Sequence, residues 1–318
     1  MTATLLPGRE QNRNRPGGGR GLPGYRRILS SEHLTGWAFV TPGAVIILLF
    51  GAAPIIWSAV LSFQNSHLQG GPSPFVGLKN YRQLVHDPVV GQAIGHTLIY
   101  TVLFVPGAMI VGLFLAVAMN RKIRGITIYR TAAYATMAIS TISEAIVFIW
   151  LFDPSYGIVN YAFSLVGIPQ QQFLNNPSEA LYVIVAMTIW GWTGFAVIIY
   201  LAALQGVPKT LLEAAALDGA GPWKTFRRVT LPLLSPASLF LAVWLSINAL
   251  QLFDEVYLST QGGPLNATTV LVYYLYEQAF QNFNFGYASA IAYFLFLIIL
   301  VVTVIQFRVG RRFTHYRS

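Results

Sequence analysis

The chain contains no cysteine among its 318 residues, and only 10% of its residues are charged. The first absence excludes disulfides, iron–sulfur clusters and thiolate zinc sites. The second excludes an ordinary water-soluble domain, in which about a quarter of the residues are charged. The sequence also lacks the GxxxxGKS/T phosphate loop, the HExxH zinc motif and the GxSxG nucleophile elbow, and its five histidines are scattered. We therefore predict no catalytic residue, metal site or cofactor in this chain, and no enzyme activity of its own.

Long hydrophobic runs dominate what is present. Hydrophobic residues make up 55% of the chain, and its mean hydropathy is +0.57. A helix needs about 20 apolar residues to cross a bilayer. Six stretches are long enough, and they lie near 37–61, 94–119, 131–152, 181–203, 234–257 and 287–307. We predict an all-α integral membrane protein with a disordered basic arm (1–30), a six-helix transmembrane domain (31–312) and a short cytoplasmic tail (313–318).

The basic residues are distributed by side of the membrane and are not gathered on one surface that could bind nucleic acid. Counted by segment between the predicted spans, Lys and Arg number 6, 2, 4, 0, 4, 0 and 4, so 18 of the 20 lie on one side. Such a bias marks the cytoplasmic side, which predicts that both termini are cytoplasmic. The arginines of the arm would fix this orientation, or would also contact anionic lipid; the sequence leaves both interpretations open.

The cytoplasmic loop 205–236 has the pattern of a docking element. Pro208 suits the first turn of a short helix, and the segment from Gly219 to Pro222 ends it. Apolar residues recur at helical spacing between them, while Glu213 and Asp218 offer carboxylates for pairing with Arg or Lys on a partner. The alternative is an interfacial helix that only caps the bundle.

The residues of this loop resemble the EAA loop of ABC importer permeases. The matching positions are Glu213-Ala214-Ala215, Asp218-Gly219, Trp223, Phe226, Leu231-Pro232 and Pro236. The resemblance implies the type I ABC importer permease fold, in which this loop forms a coupling helix that sits in a cleft of the ATP-hydrolysing subunit. It assigns that contact to Glu213, Ala214, Ala215, Asp218, Gly219 and Gly221.

The resemblance extends to the carbohydrate-uptake branch of this family. The segment from Phe75 to Tyr81, followed by Asp87-Pro88, is similar to the first external loop of its first permease, and Gly262-Gly263-Pro264 is similar to the last. The implied partners are a second homologous permease, an ATP-binding cassette ATPase dimer that binds ATP and Mg²⁺, and an extracytoplasmic solute-binding protein. The implied location is a bacterial or archaeal plasma membrane.

Polar and aromatic residues mark a candidate substrate pathway in the fifth predicted span. Trp244, Asn248, Gln251 and Glu255 recur at positions that share one face of a helix. Amides donate and accept hydrogen bonds from sugar hydroxyls, and an indole offers a flat surface to a pyranose ring. The alternative is that Asn248 and Gln251 only bond neighbouring helices.

The fourth predicted span supplies the other candidate pathway residues. Gly191, Trp192 and Phe195 lie near mid-depth, and the segment resembles the other stretch that lines the sugar site of this family. An aromatic belt at the membrane edge is the alternative. Glu144 is an ionisable residue within the third span, where we expect an apolar residue in this family, and the sequence assigns it no role.

The predicted function is permease-mediated import of a di- or oligosaccharide by ATP-driven alternating access. Permeases for glycerol phosphate or glycerophosphodiesters are the close alternative. The absence of Lys and Arg from the central parts of the spans favours a neutral solute, although helix N-termini can also hold an anion. An ATP-independent secondary transporter or channel is a further alternative, which inverted repeats or ion-pair chains would favour; the sequence displays neither.

Overall fold

The computed structural model describes residues 25–66, 73–121 and 124–313. Most of the predicted arm (1–24) and almost all of the predicted tail (314–318) lie outside these residues. In the described part there is one isolated β-bridge, between Gln64 and Phe75, and otherwise only helices, turns and loops. The α-helices are α1 (Tyr25–Ile47), α2 (Ala53–Leu61), α3 (Lys79–His86), α4 (Pro88–Met119), α5 (Ile126–Ala138), α6 (Thr141–Leu151), α7 (Ile158–Leu165), α8 (Ala180–Gln205), α9 (Lys209–Leu217), α10 (Pro222–Thr225), α11 (Leu231–Leu233), α12 (Ser235–Leu250), α13 (Asp254–Ser259), α14 (Leu271–Tyr276) and α15 (Phe285–Phe313).

The chain divides into two compact units, residues 1–56 and 57–318. The described part of the first unit is helical from Tyr25 onward, so residues 25–30 of the predicted arm are helical. A π-helical turn, Leu48–Ala52, separates α1 from α2. The second unit contains the remaining helices and both hydrophobic clusters of buried residues.

Among the residues that the structure describes, four helices are long and apolar enough to cross a membrane, and two bent helix pairs bring the number to six if each pair counts as one span. The third predicted span is bent by 102° between α5 and α6, because Ile139 and Ser140 have extended backbone. The fifth predicted span is also bent, by 61°, at the start of α12. The prediction that it runs on to Tyr257 is wrong: α12 ends at Leu250, and Asp254 begins a separate helix.

The centre of the second unit is built from α4, α8 and α12. Half of the residues in the most apolar stretch of α8 are buried, which is a larger buried fraction than in the other three long helices. Small residues permit close approach of α8 to α4, since Ala108, Ala116 and Ala196 are fully buried at their contact. Close packing through small side chains is the usual way in which membrane helices associate.

A carboxylate joins three helices at one end of this core. Asp87 is the N-cap of α4, and its Oδ1 accepts a hydrogen bond from the backbone N–H of Val89 at 2.9 Å. Its Oδ2 accepts hydrogen bonds from the hydroxyls of Tyr274 and Tyr287, each at 2.7 Å. Burial alone would raise the pKa of Asp87, but these hydroxyls and backbone amides outweigh it and hold the pKa below its ordinary value of 3.8. Asp87 is therefore ionised at neutral pH.

Replacing Asp87 by alanine is expected to destabilise the protein by about 3 kcal/mol, because two tyrosine hydroxyls lose a charged acceptor and α4 loses its cap. The lowered pKa means that the carboxylate stabilises the fold above pH 4 and that this contribution is lost as the pH falls through the folded-state value. Thermal unfolding of Asp87→Ala, Tyr274→Phe and the double variant measures the coupling. Strictly additive losses would contradict a shared network.

Candidate functional site

The predicted docking helix is present as α9, which begins at Lys209 and ends at Leu217. Pro208 lies at the N-cap, one position before the predicted first turn, with extended backbone (φ −62°, ψ 129°). Its carbonyl accepts a hydrogen bond from the N–H of Leu211 at 3.2 Å. The local sequence therefore starts the helix almost where the proline pattern places it.

Gly219 ends α9 in the way that its sequence position predicts. It has φ +72°, which is the left-handed region that side chains disfavour. The N–H of Ala220 donates to the carbonyl of Ala215 at 2.9 Å, and that of Gly219 donates to Ala216 at 3.0 Å. These two bonds form a Schellman motif, which satisfies the last carbonyls of the helix. Within the described part of the chain, no heavy atom other than those of its chain neighbours lies within 4 Å of a Cβ built at Gly219, so the glycine is required for its backbone and not for space.

The residues assigned to ATPase contact lie on an open surface of the chain. Five of the six are exposed and Ala215 is half-buried; the exposed five are Glu213, Ala214, Asp218, Gly219 and Gly221. Two large apolar side chains that we did not assign to this contact lie beside them. Leu217 is 90% exposed and Trp223 is 73% exposed. In the sequence, Leu217 could have been noticed because it is a large apolar residue outside the predicted apolar face of the helix. Since its side chain is exposed, we add Leu217 to the candidate contact surface.

The two predicted pathway segments meet through an aromatic ladder, which we define as Tyr100, Phe104, Trp192, Phe195, Phe240 and Trp244. The ring centroids of Trp192 and Phe195 in α8 are 5.8 Å apart, and Phe195 lies 6.1 Å from Trp244 in α12. Phe104 of α4 reaches Trp192 at 6.4 Å. The ladder runs from a buried end, where Tyr100 and Phe104 are 1–2% exposed, to an open end, where Phe240 and Trp244 are 45–48% exposed. Phe104 and Phe240 were not predicted, because only tertiary packing places them here.

The polar residues of the fifth predicted span do not share one continuous helix face. Trp244 and Asn248 lie on α12, and the Asn248 amide donates to the carbonyl of Trp244 at 2.8 Å. Gln251 is exposed at the C-cap of α12, and Glu255 lies on α13. The prediction of a single stripe from Trp244 to Glu255 is therefore wrong, because α12 ends at Leu250. Trp244, Asn248 and Gln251 still follow one another along the end of α12.

Glu144 packs directly against Gly191 of α8. A Cβ built at Gly191 would lie 2.4 Å from Oε2 and 2.5 Å from Oε1 of Glu144. The side chain is 8% exposed, and its Oε1 has no hydrogen-bond partner in the part of the chain that the structure describes. Among the same residues, no group of three or more His, Cys, Asp or Glu side chains has the arrangement of a metal site.

The all-helical spans and the exposed helix α9 define a membrane-embedded permease subunit of an ABC transport system. The chain belongs to the family described as binding-protein-dependent transport system inner membrane component, which matches residues 108–315. The predicted family and fold class are thereby confirmed, and permease subunits of this family are not catalytic.

Relatives of this chain cover nearly all of its length. The sn-glycerol-3-phosphate transport system permease of Yersinia pestis is 35% identical over 276 residues, which are 86% of this chain and 91% of that protein. The lactose transport system permease of Rhizobium radiobacter is 36% identical over 284 residues, 87% of this chain and 94% of that protein. A chain of a bacterial ABC transporter involved in the import of the acidic polysaccharide alginate has a TM-score of 0.80 at 26% identity, covering 92% of this chain and 99% of that one.

Proposed function

We propose that this permease imports a neutral di- or oligosaccharide by ATP-driven alternating access. Its partners in this proposal are a second homologous permease, a pair of ATPase subunits that bind ATP and Mg²⁺, and an extracytoplasmic solute-binding protein. The chain itself needs no cofactor. It lies in a bacterial or archaeal plasma membrane, in contact with lipid and with both termini in the cytoplasm, as the distribution of Lys and Arg indicates.

The aromatic ladder is the observation that carries the sugar assignment. Its open end, at Phe240 and Trp244, offers ring faces to a solute, and pyranose rings stack on such faces through their apolar C–H surfaces. Asn248 and Gln251 continue from Trp244 toward the end of α12, where their amides can bond hydroxyls. We assign to the substrate pathway the residues Gly191, Trp192, Phe195, Trp244, Asn248 and Gln251.

The charge of the spans favours a neutral solute. No Lys or Arg occurs in α4, α6, α8 or α12, and an anion in a medium of low dielectric constant needs a cation or several oriented dipoles. The lactose permease relative is named for a neutral sugar. The glycerol-phosphate permease relative, at a similar identity, supports the second candidate, a glycerol phosphate or glycerophosphodiester.

The proposed docking of α9 explains how ATP hydrolysis would drive this pathway. Glu213, Asp218 and the small residues between them lie on an exposed surface that fits a groove with basic residues at its edge. Closure of the ATPase pair would move α9, and the chain continues from α9 through α10 and α11 into α12, which carries Trp244.

The test is ATP hydrolysis by the complete assembly in lipid nanodiscs with its solute-binding protein. Lactose and maltotriose represent neutral sugars, and sn-glycerol 3-phosphate represents the alternative. We expect stimulation by at least one neutral sugar. Stimulation by the phosphate alone would keep the transporter and replace its substrate, and failure of any ATPase to assemble with this chain would contradict the coupling role of α9.

Replacing Trp244 by alanine is expected to reduce sugar-stimulated ATP hydrolysis about tenfold, because the open end of the ladder loses its largest ring face. Trp150→Ala is the matched control, since Trp150 is 67% exposed and makes no ring contact with the ladder. The rate at saturating sugar and the half-saturating concentration are measured for both. Equal losses in the two variants would contradict a specific role for Trp244.

A further inference from the structure

Glu144 is a buried carboxylate that the proposed mechanism does not yet use. It lies in the first turn of α6, immediately after the 102° bend, with 92% of its side chain buried. Its Oε1 is unpartnered within the described residues. A buried polar atom without a partner is rare in folded proteins and costs about 1–3 kcal/mol, so this oxygen is free to bind a ligand that reaches it.

Gly191 places this carboxylate beside the proposed pathway. Both carboxylate oxygens and Cδ of Glu144 lie within 2.7 Å of the point that a Cβ at Gly191 would occupy, so only glycine leaves room for them. Gly191 and Phe195 are one helical turn apart on the same face of α8. The carboxylate therefore lies one turn along α8 from the contact between Phe195 and Trp244.

A second acidic residue lies in the same region. Glu255 is on α13, which packs against α6, the helix that carries Glu144. No Lys or Arg occurs in α4, α6, α8 or α12, and Arg130 of α5 donates a hydrogen bond to the carbonyl of Met119 at 2.9 Å. A negatively charged solute beside Glu144 would therefore lack a cationic partner from these four helices in a medium of low dielectric constant.

We propose that Glu144 is a specificity-determining residue of the translocation pathway. Its carboxyl group binds hydroxyls of a neutral sugar, since a carboxylate accepts two hydroxyl hydrogen bonds and a carboxylic acid donates one and accepts another. The same group excludes solutes that carry a negative charge. This inference rests on the proposed sugar transport and narrows it: uronate oligosaccharides and phosphate esters are rejected within the membrane as well as by the external binding protein.

The packing of Glu144 on Gly191 is tested first. Gly191→Ala is expected to lower the yield of assembled transporter at least threefold, and adding Glu144→Ala to it should restore the yield. Gly194→Ala is the matched control, because its Cβ would lie 2.5 Å from the carbonyl of Ala133 and 2.6 Å from Oγ1 of Thr136, so that Glu144→Ala should not restore it. Equal restoration of both variants, or of neither, would contradict the contact.

The specificity role is tested by saturation-transfer difference NMR on the assembled transporter in nanodiscs without its binding protein. The probes are lactose and digalacturonate, a neutral and a doubly anionic disaccharide. In the wild type we expect a lactose signal at least tenfold stronger than the digalacturonate signal. Glu144→Gln should reduce that ratio to below threefold while it keeps the lactose signal, and Glu144→Ala should weaken the lactose signal. Asp254→Asn, a change at an exposed neighbour of Glu255, should leave the ratio unchanged.

The outcomes separate this inference from the proposed function. A wild-type lactose signal with an unchanged ratio in Glu144→Gln, or equal binding of both probes by the wild type, would overturn the role of Glu144 and leave sugar transport intact. Absence of a signal from either disaccharide, combined with ATP hydrolysis stimulated only by sn-glycerol 3-phosphate, would overturn the sugar assignment and the role of Glu144 with it.

Discussion

Replacing Leu217 by aspartate is expected to reduce the transport rate at least 100-fold, while the chain still inserts into the membrane and folds. Leu217 is 90% exposed in this chain and lies at the end of α9, next to Asp218 and Gly219. Burial of a leucine against a partner contributes about 1.5–3 kcal/mol, and a carboxylate placed in the same groove adds a desolvation cost of several kcal/mol. A loss of about 3 kcal/mol corresponds to roughly a 100-fold change in affinity.

The measurement is co-purification of the ATPase subunits with the tagged permease, followed by ATP hydrolysis of whatever assembles. Leu265→Asp provides the matched control. Leu265 is also 90% exposed, but it lies in the loop between α13 and α14 and has no part in the docking surface. Normal co-purification with Leu217→Asp would show that the exposed leucine does not enter the partner's groove, and equal losses in both variants would indicate general misfolding.

The coupling helix could be predicted closely because its limits are encoded locally. A proline at its start and a glycine with positive φ at its end act within a few residues, so no information about distant packing is needed. The exposure of Leu217 was not predicted, because whether a leucine faces its own chain or a partner depends on the position of the whole helix. The local sequence therefore predicted helix α9, while the exposure of Leu217 became known only from the structure.

The breaks in the third and fifth spans illustrate the opposite case. Neither Ile139-Ser140 nor the end of α12 at Leu250 carries a proline or glycine, and the predicted spans extend across both points. A composition pattern that asks only for enough apolar residues reports one span where the backbone bends by 102°. For the same reason, the prediction that Glu255 shares a helix face with Trp244 was wrong, because it required one unbroken helix between the two residues.

The aromatic ladder shows how a partly predicted site is completed by packing. Trp244 was predicted from helix spacing within its span, and Trp192 and Phe195 were predicted from their depth in the fourth span and from the resemblance of that stretch to the family. Phe104 and Phe240 join them because α4 and α12 both cross α8 at this height, and such crossings are not encoded in any one segment. Glu144 was noticed as an exception to the apolar pattern, but only its contact with Gly191 gives it a place relative to the pathway.

Replacing Gly112 by valine is expected to prevent recovery of the assembled transporter, because it separates the two helices at the centre of the fold. A Cβ built at Gly112 of α4 would lie 2.4 Å from the Cβ of Ala196 and 3.2–3.3 Å from its backbone atoms. Ala196 is fully buried, so neither helix can move away without opening the core. Overpacking by a few methyl groups typically costs about 1–3 kcal/mol, and here the obstacle is another helix rather than the flexible end of a side chain.

A graded series of variants tests this contact by thermal unfolding of the purified protein. Gly112→Ala should be destabilising despite the better helix propensity of alanine, which favours the variant by about 1 kcal/mol. At Gly95 in the same helix, no described heavy atom outside the local helix backbone lies within 4 Å of a built Cβ, so that in Gly95→Ala the propensity gain should appear without a packing cost. The two alanine variants of α4 should therefore shift the unfolding temperature in opposite directions.

Exchanging the two residues separates packing from propensity. In the double variant Gly112→Ala with Ala196→Gly, the closest atom to the new methyl group is removed, and the backbone contacts at 3.2–3.3 Å remain. We expect the double variant to recover at least half of the stability lost in Gly112→Ala, even though Ala196→Gly alone should be destabilising. Such a reversal of sign is the signature of two residues in direct contact. Additive losses would instead mean that α4 and α8 do not meet at these positions, which would remove the basis for placing Phe104 beside Trp192.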